Sequence, residues 1–375
     1  MTVRVYRSTD TNAPQCSGEV GKLIAILSAC LVDGYSPGTV SSITRSGATA
    51  TLTFSAAHGL ADFTNRLTVA GAAQSEYNGE FDVTVISATA VTYTVSGTPA
   101  TPATGSPTAT KAGSGWTKPY SGTNLAAYKQ GSGSNGFYLR IDDTGTTSAR
   151  IIGYETMSSI SDTSGNAFPT EAQQSGGGYY NKSSTADATA RAWIVVATES
   201  GFYLWINHWT NSAVAQLHFL GDIQSRKSGD AFHTLNACSH ASSNATTSVP
   251  ALVTTLSNSV FGNWLARSYT QTGVSITAGK HINDVASKGS AIMGTDGEAY
   301  PSPVSSGLLM SLVFVHENTA AVVRGIMPGL LAPLHNSPLD NLDTFSGTGA
   351  YAGKKYLSLD VFNAGQAFVE ISNTW

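Results

Sequence analysis

Only 12% of the 375 residues are charged, well under the ~25% of an ordinary soluble domain, while 41% are hydrophobic, enough to build real cores. The net charge is −4 and the densest basic spots are the pairs Arg226-Lys227 and Lys354-Lys355. That excludes the basic stripe on which non-specific nucleic-acid binding depends. No apolar run approaches the roughly 18 residues of a membrane-spanning helix, and the start MTVRVYRSTD has no apolar signal-peptide core. The expectation is a chain made in a cytoplasm, with no membrane insertion.

Length suggests two or three domains. A surface rich in Ser, Thr and Gly suits burial against neighbouring subunits or a stable particle. It also suits a β-rich protein whose turns demand Gly and Ser. Cys16, Cys30 and Cys238 are too few for a disulfide framework.

Taken in chain order, the first element is a helix. In SGEVGKLIAILSACLVDGY, residues Val20, Leu23, Ile24, Leu27 and Leu31 recur at helical spacing. Ser17 is the expected N-cap, Glu19 sits in the first turn, and Gly34 closes the C-terminus. Cys30 is expected as a small buried hydrophobe within this run. Residues 38–113 then read as an inserted β-sandwich module. Short Val, Ile, Thr, Phe and Tyr runs alternate with polar residues and break at Ser46-Gly47, His58-Gly59 and Asn78-Gly79. Asn78-Gly79 is expected as a tight hairpin turn. In His58-Gly59-Leu60, the glycine permits a turn that sends Leu60 into the core while His58 bonds backbone across it. Residues 1–37 and 114–375 form the scaffold domain, with a sub-boundary near 250.

Beyond the insert the pattern is β throughout. Phe137–Asp143 and Ala149–Tyr154 form one hairpin, and Ala192–Ala197 and Phe202–Ile206, around Glu199-Ser200-Gly201, form another. The near-continuous apolar character of the second pair predicts strands buried on both faces, or on one face and a partner subunit. Further strands are expected at Ala215–Leu220, Leu308–Val315, Val322–Ile326, Lys355–Leu359 and Ala367–Ile371, and a loop at Ala241–Thr255. The fold class is thus mainly β, a sandwich-type scaffold with one N-terminal helix and an inserted small sandwich.

Chemistry-bearing groups are sparse in pattern. His208, His218, Asp222, Asp230, His233, Cys238 and His240 are all legal metal ligands, but their spacings match no HExxH, CxxC or facial-triad motif. Asp222 and Asp230 each follow a glycine, which suggests turn chemistry. Asp142 and Asp143 are adjacent on a strand and so point to opposite faces, which rules them out as a glycosidase pair. Asp143 is expected to cap Thr144-Gly145. Trp193, Phe202, Tyr203, Trp205 and Trp209, with Tyr179-Tyr180 upstream, form either a large core or a sugar-stacking platform, core being the default. Trp375 suggests a chain end tied down onto the protein or a neighbour. No catalytic, cofactor-binding or metal-binding residue is nominated, and an enzyme is not expected.

Two stretches carry a resemblance. His58-Gly59-Leu60, Val69–Ala72, Tyr77–Phe81, Val83-Thr84-Val85, Tyr93-Thr94-Val95 and Pro102–Gly105 resemble an Ig-like module found in many tailed-bacteriophage structural proteins. The elements GWTKPYSGTN, FYLRIDD, GYETM, the KSS…ARAW segment and GDAFH, from Gly115 through His233, are similar to a loosely characterised group of phage virion proteins. The resemblance implies a virion structural component, in the tail or baseplate region, that assembles as a homo-oligomer and with other virion proteins. The alternatives are a receptor- or glycan-binding tail-tip protein that meets a host-surface glycan or receptor, and a capsid decoration protein.

Overall fold

A computed structural model describes residues 2–61, 65–209, 215–239, 262–282, 307–318, 320, 322–334, 337–361, 365–372 and 375. Antiparallel sheets dominate its regular structure, with one short α-helix, as the sequence pattern predicts. The Ala241–Thr255 stretch and His240 lie outside the described residues, as does position 250.

The central element is the hairpin Trp193–Ala197 and Gly201–Asn207, paired Val195↔Leu204, followed by the strand Ala215–Asp222. Strand Arg4–Arg7 adds to its outer edge. All but the ends of these three strands are buried, because both faces are covered. One face contributes Ile194, Val196, Tyr203, Trp205, Leu217 and Phe219 to a core shared with the C-terminal strands. The other contributes Trp193, Val195, Phe202 and Leu204 to a second core, shared with the helix and with the sheet of residues 117–181. A strand has one face per parity of residue number, so an unbroken apolar run is what a middle layer requires.

The thirteen-stranded sheet continues through Thr234–Ala237, Asn263–Leu265, Ile276–Ile282, Met310–Glu317 and Val323–Pro333 to Gly365–Glu370 and Lys355–Val361. The last of these strands lie back over the first. Tyr203 donates its hydroxyl to Pro328 O (2.8 Å) and Trp205 donates Nε1 to Asp360 O (2.8 Å). Strands from either side of position 250 therefore share one sheet and one core.

The helix is Lys22–Ser28, extended by a π-helical turn Ala29–Asp33 that Gly34 closes by donating its N–H to Ala29 O. Leu23, Leu27 and Leu31 are buried as expected and Ile24 packs partly, but Val20 is exposed because the helix starts later than its apolar period suggests. Ser17 is not the N-cap. Gly21 holds that position in the left-handed region (φ 76°), and Ser17 instead donates its hydroxyl to Glu19. The missing side-chain acceptor arrives from far along the chain. Asp143 Oδ2 accepts the N–H groups of Leu23 (2.8 Å) and Ile24 (3.1 Å).

Residues 40–111 form their own six-stranded antiparallel sheet in the order Val40–Ser46, Thr49–Phe54, Ala90–Thr94, Gly79–Ser87, Asn65–Ala72, Gly105–Lys111. The first and last strands approach one another, so the sheet curls around a separate core that includes Leu52, Leu67, Tyr77 and Val91. Gly47 takes the positive φ of a tight turn (59°). Asn78-Gly79 does not form the tight hairpin expected of it. Asn78 is extended (φ −92°), and its amide clamps Ala72, accepting from N (3.0 Å) and donating to O (2.7 Å). His58 behaves as read from the sequence: Leu60 N–H donates to its Nδ1 (3.0 Å), so Nε2 carries the proton it donates to Ser87 O (2.9 Å).

The insert is bolted to the scaffold by a buried charge cluster. Asp10 Oδ2 accepts from Lys111 Nζ (2.6 Å), Tyr35 hydroxyl (2.6 Å) and Arg7 N–H (3.1 Å). Burial pulls the Lys111 ammonium down from its ordinary value and Asp10 opposes that pull. Arg7 Nη2 also reaches Gly59 O (3.0 Å), and Arg4 pairs with Glu80 across the same junction.

Candidate functional site

The residues singled out for metal or acid–base chemistry are scattered. His218 stacks on Tyr180 at 4.4 Å, and His208 is buried beside Arg191, where burial first and the guanidinium second push it down to about 4. Asp222 lies at a strand end and accepts from Gln130 (3.0 Å), Thr234 (2.6 Å) and Asn135 N–H (2.9 Å). Asp230 accepts from Phe232 N–H, from Ser225 and from Arg324. Arg324 is buried and also bonds Glu317 (2.7 Å), so Asp230 belongs to an internal ion network. Among the described residues of the constellation, His233 comes within 3.8 Å of the Asp222 carboxylate and also bonds the backbone carbonyl of Asp230. Cys238 is buried under Gly178, and Cys16, Cys30 and Cys238 are all buried and outside any disulfide. Among the described residues no group of three or more His, Cys, Asp or Glu side chains could hold a metal.

Asp142 and Asp143 do point to opposite faces, but their roles are exchanged relative to expectation. It is Asp142 that caps the turn, accepting Thr144 N–H (3.1 Å) and hydroxyl (2.6 Å). Asp143 turns inward, because its strand neighbour Ile141 and the helix start define the buried side. There it meets the equally buried Lys182, which donates to it and to the carbonyls of Glu19 (2.7 Å) and Gly145 (2.8 Å). Burial pushes the Asp143 carboxyl up, while Lys182 and the two helix amides pull against it.

The aromatic group is core. Trp193, Phe202, Tyr203 and Trp205 are each no more than 2% exposed, with their polar atoms satisfied; Trp193 Nε1 donates to Pro14 O (2.9 Å). Trp209 and Tyr179 are half-buried at its margin. Trp375 is tied onto the protein itself. Its indole donates to Glu370 O (3.1 Å) and meets Tyr203 edge-on at 5.1 Å, in space that Gly329 leaves open.

A concave feature that gathers charged groups lies elsewhere among the described residues. In strands Tyr138–Asp142 and Ser148–Tyr154, paired Arg140↔Ile152 and Asp142↔Arg150, the inward residues Leu139, Ile141, Ala149 and Ile151 enter the core. Alternation then presents Arg140, Asp142, Arg150, Ile152 and Tyr154 on the other face. Thr163, Thr170 and Glu171, from the chain that follows, wall in a cleft of about 550 Å³ over them. Arg150 is held rigidly: its guanidinium lies 3.9 Å above the Tyr179 ring, Nε donates to Gly176 O (2.9 Å) and Nη2 to Ser175 O. Arg140 donates Nε to Ile160 O (3.0 Å). Asp142 was singled out from sequence; Arg140, Arg150 and Tyr154 were not. The alternation of YLRID and ARIIGY could have placed them on one face, but the walls have no regular pattern to find.

No family model matches the chain, and no curated protein matches it in sequence.

Proposed function

We propose that the chain is a structural component of a tailed-phage virion, assembling in multiple copies with itself and with other virion proteins in the tail or baseplate region. The observation that carries this is the burial of the aromatic-rich hairpin as the middle layer of the fold. A receptor- or glycan-binding platform would need those rings on the surface, whereas here they supply the stability of a scaffold. The junction supports it as well. Asp10, Lys111 and Tyr35 fix the insert to the scaffold through buried, charge-assisted bonds rather than through a free linker. A projection held that way keeps its orientation, which a repeated part in a closed ring requires.

The test is the mass of the purified chain in solution at micromolar concentration, together with its presence in purified particles. A closed oligomer of fixed copy number, and detection in the particle at that stoichiometry, are expected. A strict monomer that is absent from particles would overturn the proposal. A monomer at a free tail tip or on the capsid shell would transfer it to receptor binding or to decoration.

A further inference from the structure

We propose that the cleft over strands Tyr138–Asp142 and Ser148–Tyr154 binds a short acidic saccharide. Arg140 and Arg150 take the carboxylate of a uronic acid, and Asp142 and Tyr154 take its hydroxyls. The proposal is independent of where the chain sits in a particle.

The register puts Arg140 and Arg150 diagonally across the strand pair, with Asp142 directly opposite Arg150. Diagonal neighbours lie roughly 7–8 Å apart at the backbone, and both arginine side chains line the same cleft. What matters is which valences the protein itself leaves over. Arg140 spends only Nε, on Ile160 O, so both of its terminal nitrogens remain. Arg150 spends Nε and Nη2 on the carbonyls of Gly176 and Ser175 and keeps Nη1, with its plane fixed by Tyr179. Asp142 spends Oδ1 on Thr144 and keeps Oδ2. Glu171, the other carboxylate of the lining, is engaged on both oxygens: Ser175 hydroxyl donates to one (2.5 Å) and Gly176 N–H to the other (2.9 Å).

The cleft therefore leaves donor edges of two guanidinium groups beside one open carboxylate oxygen; Asp142 and Glu171 balance the two arginine charges, so selection of a ligand carboxylate rests on these directed N–H donors rather than on net charge. A bare phosphate fits this poorly, because Asp142 would repel it and the half-buried Ile152 side chain would be left against water. A uronic acid meets every feature. Its carboxylate faces the arginines, a hydroxyl donates to Asp142 Oδ2, and the C–H face of the ring lies on Ile152 and the Tyr154 ring. The volume of about 550 Å³ is in the ~300–1,000 Å³ range of small-ligand clefts.

Titration calorimetry and ligand-observed NMR on the full chain, with digalacturonate, cellobiose and inorganic phosphate as separate probes, test this. Saturable binding of digalacturonate is expected, with cellobiose at least ~10-fold weaker, the size of one lost charge-assisted pair. Phosphate should not compete. Arg140→Gln should weaken digalacturonate at least ~10-fold with the thermal midpoint unchanged. Tyr154→Phe, which keeps the ring and its packing, should weaken it about fivefold by removing one hydroxyl and carries the test should the arginine variant fail to fold. No binding of digalacturonate, equal binding of cellobiose, competition by phosphate, or binding that survives both variants would each overturn the proposal.

Discussion

Lys182→Met is the sharpest probe of how this β-rich chain is held together. Lys182 and Asp143 have side chains that are both 0% exposed, and the ammonium makes three bonds, to Asp143, Glu19 O and Gly145 O. Methionine keeps the stem and its packing but leaves Asp143 as a buried carboxylate whose remaining partners are the amides of Leu23 and Ile24. Removing one partner of a buried pair costs about 3–5 kcal/mol, because the other charge stays desolvated. Asp143→Ala adds the loss of the helix cap, about 1 kcal/mol. The double variant Asp143→Leu/Lys182→Met removes both charges and should recover part of the loss, since the desolvation penalty goes with them. Urea unfolding followed by tryptophan fluorescence measures the three variants, and a double-mutant cycle isolates the coupling. Hydrogen exchange at Leu23 and Ile24 reports the cap separately: Asp143→Ala should speed it about fivefold, the equivalent of ~1 kcal/mol. A Lys182→Met loss below about 1 kcal/mol, the range of a solvent-screened pair, would refute the assignment of this pair as a central tie.

Three further outcomes follow from other parts of the fold. His208 has an ordinary value of 6.5 and is pushed down to about 4 in the folded chain, so above pH 6.5 it costs nothing. As pH falls from 6.5 towards 4 the unfolded chain gains a proton the folded one refuses, and up to about 3 kcal/mol of stability is lost; His208→Gln should flatten that part of the pH–stability curve, and an unchanged curve would refute it. Lys111→Met should leave Asp10 with only the longer Arg7 pair at the junction and raise hydrogen exchange and proteolysis at residues 35–38 and 111–114 while the core of the insert stays protected; loss of protection across the whole insert instead would contradict a local clamp. Gly329→Ala places a methyl where the Trp375 indole lies, at a positive φ of 63°, so it should free that indole, red-shift its emission and cost about 1–3 kcal/mol; an unshifted spectrum would show that Trp375 is not seated there.

Local pattern made much of this architecture readable. The hairpins at 137–154 and 192–206 follow from alternation and turn residues, and of the two arrangements that the apolar runs 193–197 and 202–206 left open, strands covered on both faces is the one the structure has. His58 and Leu60 were legible because their bonds span two residues and one turn. What escaped was long-range. Asp143 caps a helix 119 and 120 residues away, and no local signal distinguishes it from Asp142, which does the turn-capping assigned to its neighbour. Asn78-Gly79 has the composition of a tight turn, yet the strand pairing Val69↔Gly79 leaves a longer connection that Asn78 spans with its amide. The cleft was hidden for the same reason: its floor obeys strand alternation, but its walls come from irregular chain whose path only tertiary packing decides.

The claim at the centre of this account is that the chain is a repeated architectural part of a virion. A cryo-EM map of the intact particle, with this fold located in it, tests that most directly. The account predicts density in a closed ring at the tail or baseplate, with the scaffold sheets meeting neighbouring copies and the insert held in one fixed orientation. Density at a free tip or on the capsid shell, or no copy of the chain in the particle, would contradict it.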